Sequence, residues 1–126
     1  MASVKGAAEA GEQRTSVHRP GVVETVFVGR LTVKLLDAAH ADIVKVGVAP
    51  VWLIDTTDTS GFDTDCVRFG STLLQRLRKA GVQRLVAVLP SAAMRMAARA
   101  AAVASGVEIR VVERRSEAVP HLALAK

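Results

Sequence analysis

Apolar positions along this chain keep two rhythms, and the switching between them lays out its elements. Trp52-Leu53-Ile54, Arg84 to Leu89 and Val107 to Val112 are short apolar runs, the pattern of strands covered on both faces. Leu35, Leu36, Ala39, Ile43 and Val46 instead recur at helical spacing, with Lys34, Asp37, Asp42 and Lys45 off the stripe. Cys66, Phe69, Leu73 and Leu77 repeat that spacing, with Arg68, Arg76, Arg78 and Lys79 largely elsewhere. Gly47 and Pro50 predict the end of the first helix and Gly81 the end of the second; Pro90-Ser91 opens a third that runs to about Ser105, before Gly106. Ahead of them all, Thr15 to His18, Arg19-Pro20-Gly21 and Val22 to Val28 read as strand, turn and strand. Helix and strand alternate from Leu31 onward. The fold class expected is therefore α/β: a mixed sheet, mainly parallel with an N-terminal antiparallel hairpin, packed by about three to four helices.

In such sheets function gathers at the carboxyl ends of the strands. Here Asp55 closes a strand, and the next ten residues hold the hydroxyls of Thr56, Thr57, Thr59, Ser60 and Thr64 and the carboxylates of Asp58, Asp63 and Asp65. With Gly61 as its flexible point, this stretch is expected to be a loop. Asp63 or Thr64 is placed to cap the following helix, and Asp65 to complement the positive end of its dipole.

Composition narrows the function classes. The chain of 126 residues is half hydrophobic, enough for one domain with a real core. A net charge of +5 invites a nucleic-acid reading, but one Trp, three Phe and no Tyr leave few rings to stack on bases, so no nucleic-acid partner is expected. The single cysteine, Cys66, excludes an internal disulfide and fits a reducing cytoplasm; its place on an apolar stripe reads as a core thiol. Residues 1–14 lack the apolar region of a secretion signal and read as a flexible tail, with the domain at 15–115 and a C-terminal extension at 116–126. No membrane insertion is expected, since the most apolar stretch is alanine-built and broken by Arg95 and Arg99.

Other chemistries fare poorly. Asp55, Asp58, Asp63 and Asp65 have the oxygens a magnesium ion wants, but Gly29-Arg30 and Leu89-Pro90-Ser91 stand where a phosphotransfer receiver needs acids and a lysine. His18, His40 and His121 are scattered, and no Gly-rich nucleotide loop or nucleophile elbow occurs. No metal, cofactor or catalytic residue is assigned, and the chain is not read as an enzyme. Arg110, Arg114 and Arg115 read as a solvated edge that could steer an acidic partner. The Ala-rich third helix reads as tight packing on the sheet, with a homo-oligomer or partner contact through Met94 and Met96 as the alternative.

The order of elements, Gly29-Arg30-Leu31 before the first helix, Trp52-Leu53-Ile54-Asp55 as central strand, and an acid-hydroxyl pair opening the next helix together resemble the STAS domain, the anti-sigma-factor-antagonist family, over about residues 15–113. That resemblance implies an Asp-Ser-Ser-Gly-like motif phosphorylated on its second hydroxyl by a partner kinase. The counterpart here is Asp63-Thr64-Asp65-Cys66, with Asp65 at the usual acceptor position and Cys66 at the Gly position. The STAS-related branch that resembles CRAL-TRIO lipid-binding domains fits as well. The expectation is a cytoplasmic, non-enzymatic interaction module of a bacterial signalling pathway. Its partner would be a kinase or sigma-factor regulator, its contact residues Asp55, Asp58, Asp63, Thr64, Asp65 and Arg68, and its phosphoacceptor candidates Thr64 and Ser60. The bland reading of the same loop is capping and turn chemistry. The alternative function is a small-molecule or lipid-binding domain whose pocket lies between the sheet and the Ala-rich helix.

Overall fold

Pro20 and Gly21 turn the chain between strands β1 (Glu12–Arg19) and β2 (Val22–Leu31), and the turn needs glycine because Gly21 takes a φ of 85°. The computed structural model describes residues 11–124. After the hairpin come α1 (Val33–Val46), β3 (Val51–Phe62), α2 (Asp65–Ala80), β4 (Arg84–Val88), α3 (Ala92–Ser105) and β5 (Glu108–Val112), then two short 3-10 turns, Arg115–Glu117 and Val119–His121. The five strands lie in the order β1-β2-β3-β4-β5, with β1 antiparallel to β2 and every later pair parallel. The mixed sheet and its helices are those expected from the sequence.

Alternation along the strands sorts side chains onto two faces. Val23, Phe27, Trp52, Leu85 and Ala87 point to one, where Leu36, Ala39 and Ile43 of α1, Leu73, Leu74 and Leu77 of α2, and Met94, Ala101 and Ala102 of α3 close the main core. Val22, Val51, Leu53, Val86 and Val88 point to the other, and there the cover is Ala118 and Leu122 from the C-terminal turns. Within the main core the Trp52 indole donates to Thr25 Oγ1 at 3.0 Å, and Thr25 Oγ1 also pairs with Thr15 Oγ1 at 2.8 Å, so the buried polar atoms are satisfied.

Two boundaries differ from the sequence reading. Glu12 to Arg14 belong to β1, paired with Val28 to Val26, although they fall in the stretch expected as tail; residues 1–10 of that stretch lie outside the described residues. The stretch read as a C-terminal extension, 116–126, begins within residues 115–122, which pack back on the sheet. They form a clasp over the second sheet face, held by Ala118 and Leu122 and by Arg84 Nη1 donating to the carbonyls of His121 and Ala123 at 3.0 and 3.2 Å.

Candidate functional site

β3 runs seven residues past its last rung with β4. Its partner at first is β4, through Val51 to Asp55, and from Asp58 to Phe62 it pairs with β2 alone, against Val28 to Leu31. The expected loop at 56–62 is thus mostly strand, and it projects with the end of β2 as a two-stranded arm beyond the carboxyl edge of the sheet. Threonines fit a strand, and the β2 backbone supplies the hydrogen bonds a free loop would have lacked. Register slips between Val26 and Val28 and between Gly29 and Arg30 each set an extra β3 residue into the ladder, bulges that re-aim the side chains of the arm.

Asp55 stands apart from the other acids. Sharing the face of Val51 and Leu53, it is 7% exposed and sits under the clasp. Its Oδ2 accepts from Arg115 Nη1 at 2.9 Å, and its Oδ1 from the Thr57 amide at 2.9 Å and the Thr57 hydroxyl at 2.6 Å. Burial pushes the Asp55 carboxyl up, but the hydrogen bonds from Thr57 and Arg115 outweigh it and hold the group below its ordinary value of 3.8. The same guanidinium reaches Glu24 on β2 through Nη2, as an ion pair rather than an aligned hydrogen bond. Arg115 thereby ties β2 and β3 to the clasp, which a reading of its arginine run as a solvated edge had missed. The remaining members of that run differ: Arg110 pairs with Glu108 at 2.9 Å, and Arg114 is exposed.

At the tip of the arm Arg30 Nε donates to Asp63 Oδ1 at 2.7 Å, joining the end of β2 to the entry of α2. Asp63 continues the ladder through its amide to the Leu31 carbonyl. Neither Asp63 nor Thr64 caps α2 with its side chain: Thr64 holds the cap position in helical geometry with no side-chain bond, and the Asp63 and Thr64 carbonyls accept from the amides of Cys66 and Val67. The expected capping is therefore made by backbone, and the Thr64 hydroxyl is left exposed beside exposed Asp65 in the first turn. Arg68, one turn on, is exposed, as are Asp58 and Ser60 on the arm. The arm and the start of α2 bring Asp58, Ser60, Asp63, Thr64, Asp65 and Arg68 to one end of the molecule, while Asp55 is enclosed. Cys66 is buried, with its thiol 3.5 Å from the Leu31 carbonyl, and burial pushes its pKa up, so it is a core thiol. Among the described residues no three His, Cys, Asp or Glu side chains converge as a metal set.

Behind the arm lies an apolar cavity of about 90 Å³, between the sheet and the facing sides of α2 and α3, with Trp52, Ile54, Leu73, Met94, Ala98 and Ala101 in its wall. It occupies the place where the small-molecule alternative puts a pocket, and the alanines of α3 are part of what leaves it open.

An α/β domain with a sequentially ordered mixed sheet and three described helices on one face is a known architecture. This one has the STAS fold. An uncharacterised protein of the DUF3478 family from Shewanella loihica with a SpoIIAA-like fold superposes with a TM-score of 0.66 at 17% identity, covering 90% of this chain and 95% of that one. The unphosphorylated form of the anti-sigma factor antagonist SpoIIAA gives 0.62 at 16% identity, covering 87% and 96%. An anti-sigma factor antagonist from Mycobacterium paratuberculosis gives 0.61 at 14% identity, covering 92% and 97%. No protein-family profile and no curated protein sequence matches the chain. Among the described residues no helix is long and apolar enough to cross a membrane.

Proposed function

We propose that this chain is a non-enzymatic regulatory module of a bacterial cytoplasmic signalling pathway, binding a protein partner through the tip of the β2–β3 arm and the first turns of α2. The observation that carries the reading is the exposed Thr64 hydroxyl, unused in capping, at the start of α2 beside Asp65. A phosphate there meets the positive end of a helix dipole, so Thr64, with Ser60 on the arm as second candidate, is the residue a partner kinase would modify. Asp65 already places one negative charge at that helix end, although a carboxylate carries less charge and fewer oxygens than a phosphate. The fold supports the reading, because SpoIIAA, in phosphorylated and unphosphorylated forms, shares it. Asp58, Asp63 and Arg68 complete the contact surface. Asp55, engaged by Arg115, acts as its support.

The partner would be a kinase or a sigma-factor regulator, and a coupling of about 1–3 kcal/mol between charge at α2 and affinity suffices for a useful switch. The test is capture of partners from the native cells with tagged protein at moderate salt, using wild type and the Asp65→Ser and Asp65→Lys variants, followed by mass spectrometry. A stoichiometric regulatory protein whose retention changes in the variants is the expected result. Retention that is the same in all three removes α2 from the recognition surface.

A further inference from the structure

Beside the apolar cavity lies a second space that shares part of its wall. Thr56, Phe62 and Met94 line both. The outer space, about 390 Å³, lies between the arm and the start of α3, and its wall includes Arg30, Thr57, Thr59, Ser60 and Ser91. Thr59 stands at the junction: its hydroxyl donates to the Thr56 carbonyl at 2.8 Å and lies 3.5 Å from Met94 Sδ, and a methionine is a side chain that re-packs readily around a guest.

The two compartments ask for different chemistry. An apolar cavity of about 90 Å³ favours hydrocarbon over water and suits the end of a short alkyl chain. Among the described residues that line the outer space, Arg30 is the only charged one. Its Nε is taken by Asp63 and its Nη2 lies 3.4 Å from the Phe62 carbonyl, while Nη1 flanks Gly61, where a Cβ would stand only 3.5 Å away and where the φ of 152° favours glycine. That nitrogen, with the hydroxyls of Ser60 and Ser91, offers donors, while the Asp63 carboxylate engages the same guanidinium from its Nε side.

We propose that the paired cavities bind a small amphipathic anion: an alkyl tail of about four to six carbons whose end fills the apolar cavity past Met94, and a carboxylate or phosphate-ester head held by Arg30 and the hydroxyls of the arm. The outer space shares the arm and Ser60 with the proposed partner-binding surface, but binding is measurable on the purified chain alone, so failure of partner capture does not bear on it.

The experiment is a nuclear magnetic resonance titration of the purified protein with sodium hexanoate and with hexyl phosphate, and with hexanol and acetate as ligands lacking the head or the tail. The expected result is saturable shifts at Ser60, Gly61, Gly70 and Ala98 with at least one of the two anions, and the stronger of the two identifies the head. Hexanol binds about tenfold more weakly and acetate does not saturate. Arg30→Gln costs the anion about tenfold in affinity, the scale of one charge-assisted hydrogen bond, and leaves hexanol unchanged. Ala98→Leu fills the cavity and abolishes binding of anion and alcohol alike. Should that variant fold poorly, Gly70→Ala, whose Cβ would sit 3.7 Å from that of Ala101, narrows the same space without a clash and weakens both. Absence of saturable binding by both anions overturns the proposal, as do hexanol binding equal to hexanoate with no effect of Arg30→Gln, or hexanoate affinity unchanged in a folded Ala98→Leu or Gly70→Ala protein.

Discussion

Arg115 donates to Asp55 across 60 residues of sequence, with a bond of 2.9 Å between Nη1 and Oδ2, and in doing so fastens the C-terminal clasp to the central strand. Both carboxylates it serves are largely shielded, Glu24 with a side chain 13% exposed and Asp55 with one 10% exposed, while the guanidinium itself is 45% exposed.

Removing the cation strands two shielded negative charges on one sheet face. Arg115→Ala is expected to lower stability by about 2 kcal/mol, below the cost of breaking a fully buried pair because water reaches the guanidinium. Urea unfolding followed by Trp52 fluorescence reads the change. Arg115→Lys recovers part of it, since an ammonium has no fork with which to hold both acids.

Acid should release the same connection. The folded pKa of Asp55 lies below its ordinary 3.8, so its contribution is fully present above the unfolded value and is lost as pH falls through the lower folded one. Melting temperatures measured from pH 6 to pH 2 are expected to fall in the acid limb, and less steeply in Asp55→Asn. An equal slope in the two proteins would place the acid sensitivity on other carboxylates.

The clasp should fail through its apolar contacts as well. Leu122 is 4% exposed and closes the sheet over Val22, Val51, Leu53, Val86 and Val88. Leu122→Ala is expected to cost about 2 kcal/mol and to raise binding of the dye ANS, because among the described residues no helix covers that face.

How the chain reads from sequence depends on what carries each element. Strand and helix alternation from Leu31 onward was legible because each element buries an apolar stripe: Leu36, Ala39 and Ile43 on α1, Leu73 and Leu77 on α2. The arm was not, since Thr56 to Ser60 shows no apolar alternation and is held by the β2 ladder and hydroxyl bonds to main chain, such as Thr56 Oγ1 to the Val88 carbonyl at 2.9 Å. The clasp rests on two isolated apolar residues, Ala118 and Leu122, and on one arginine whose partners are distant in sequence; local periodicity contains no trace of either. Of the residues expected to meet a partner, Asp58, Asp63, Thr64, Asp65 and Arg68 reach the surface together. Asp55 shares their segment, but strand alternation turns it to the opposite face.

Cys66 gives a check on the main core. Its thiol pKa is raised by burial, so the folded protein at pH 8 is expected to react with iodoacetamide at least about tenfold more slowly than the protein in urea. Fast labelling of the folded chain would mean that the start of α2 opens readily.

The length of the reach from Arg115 to its acids also orders events during synthesis. Glu24 and Asp55 leave the ribosome long before the arginine that pairs with both, so the nascent sheet carries two acids without that guanidinium and an apolar face without Ala118 and Leu122 until the clasp emerges. A chain stalled before residue 115 should therefore be a client for chaperones, and completion of the last turns, more than pairing of the central strands, should mark its release.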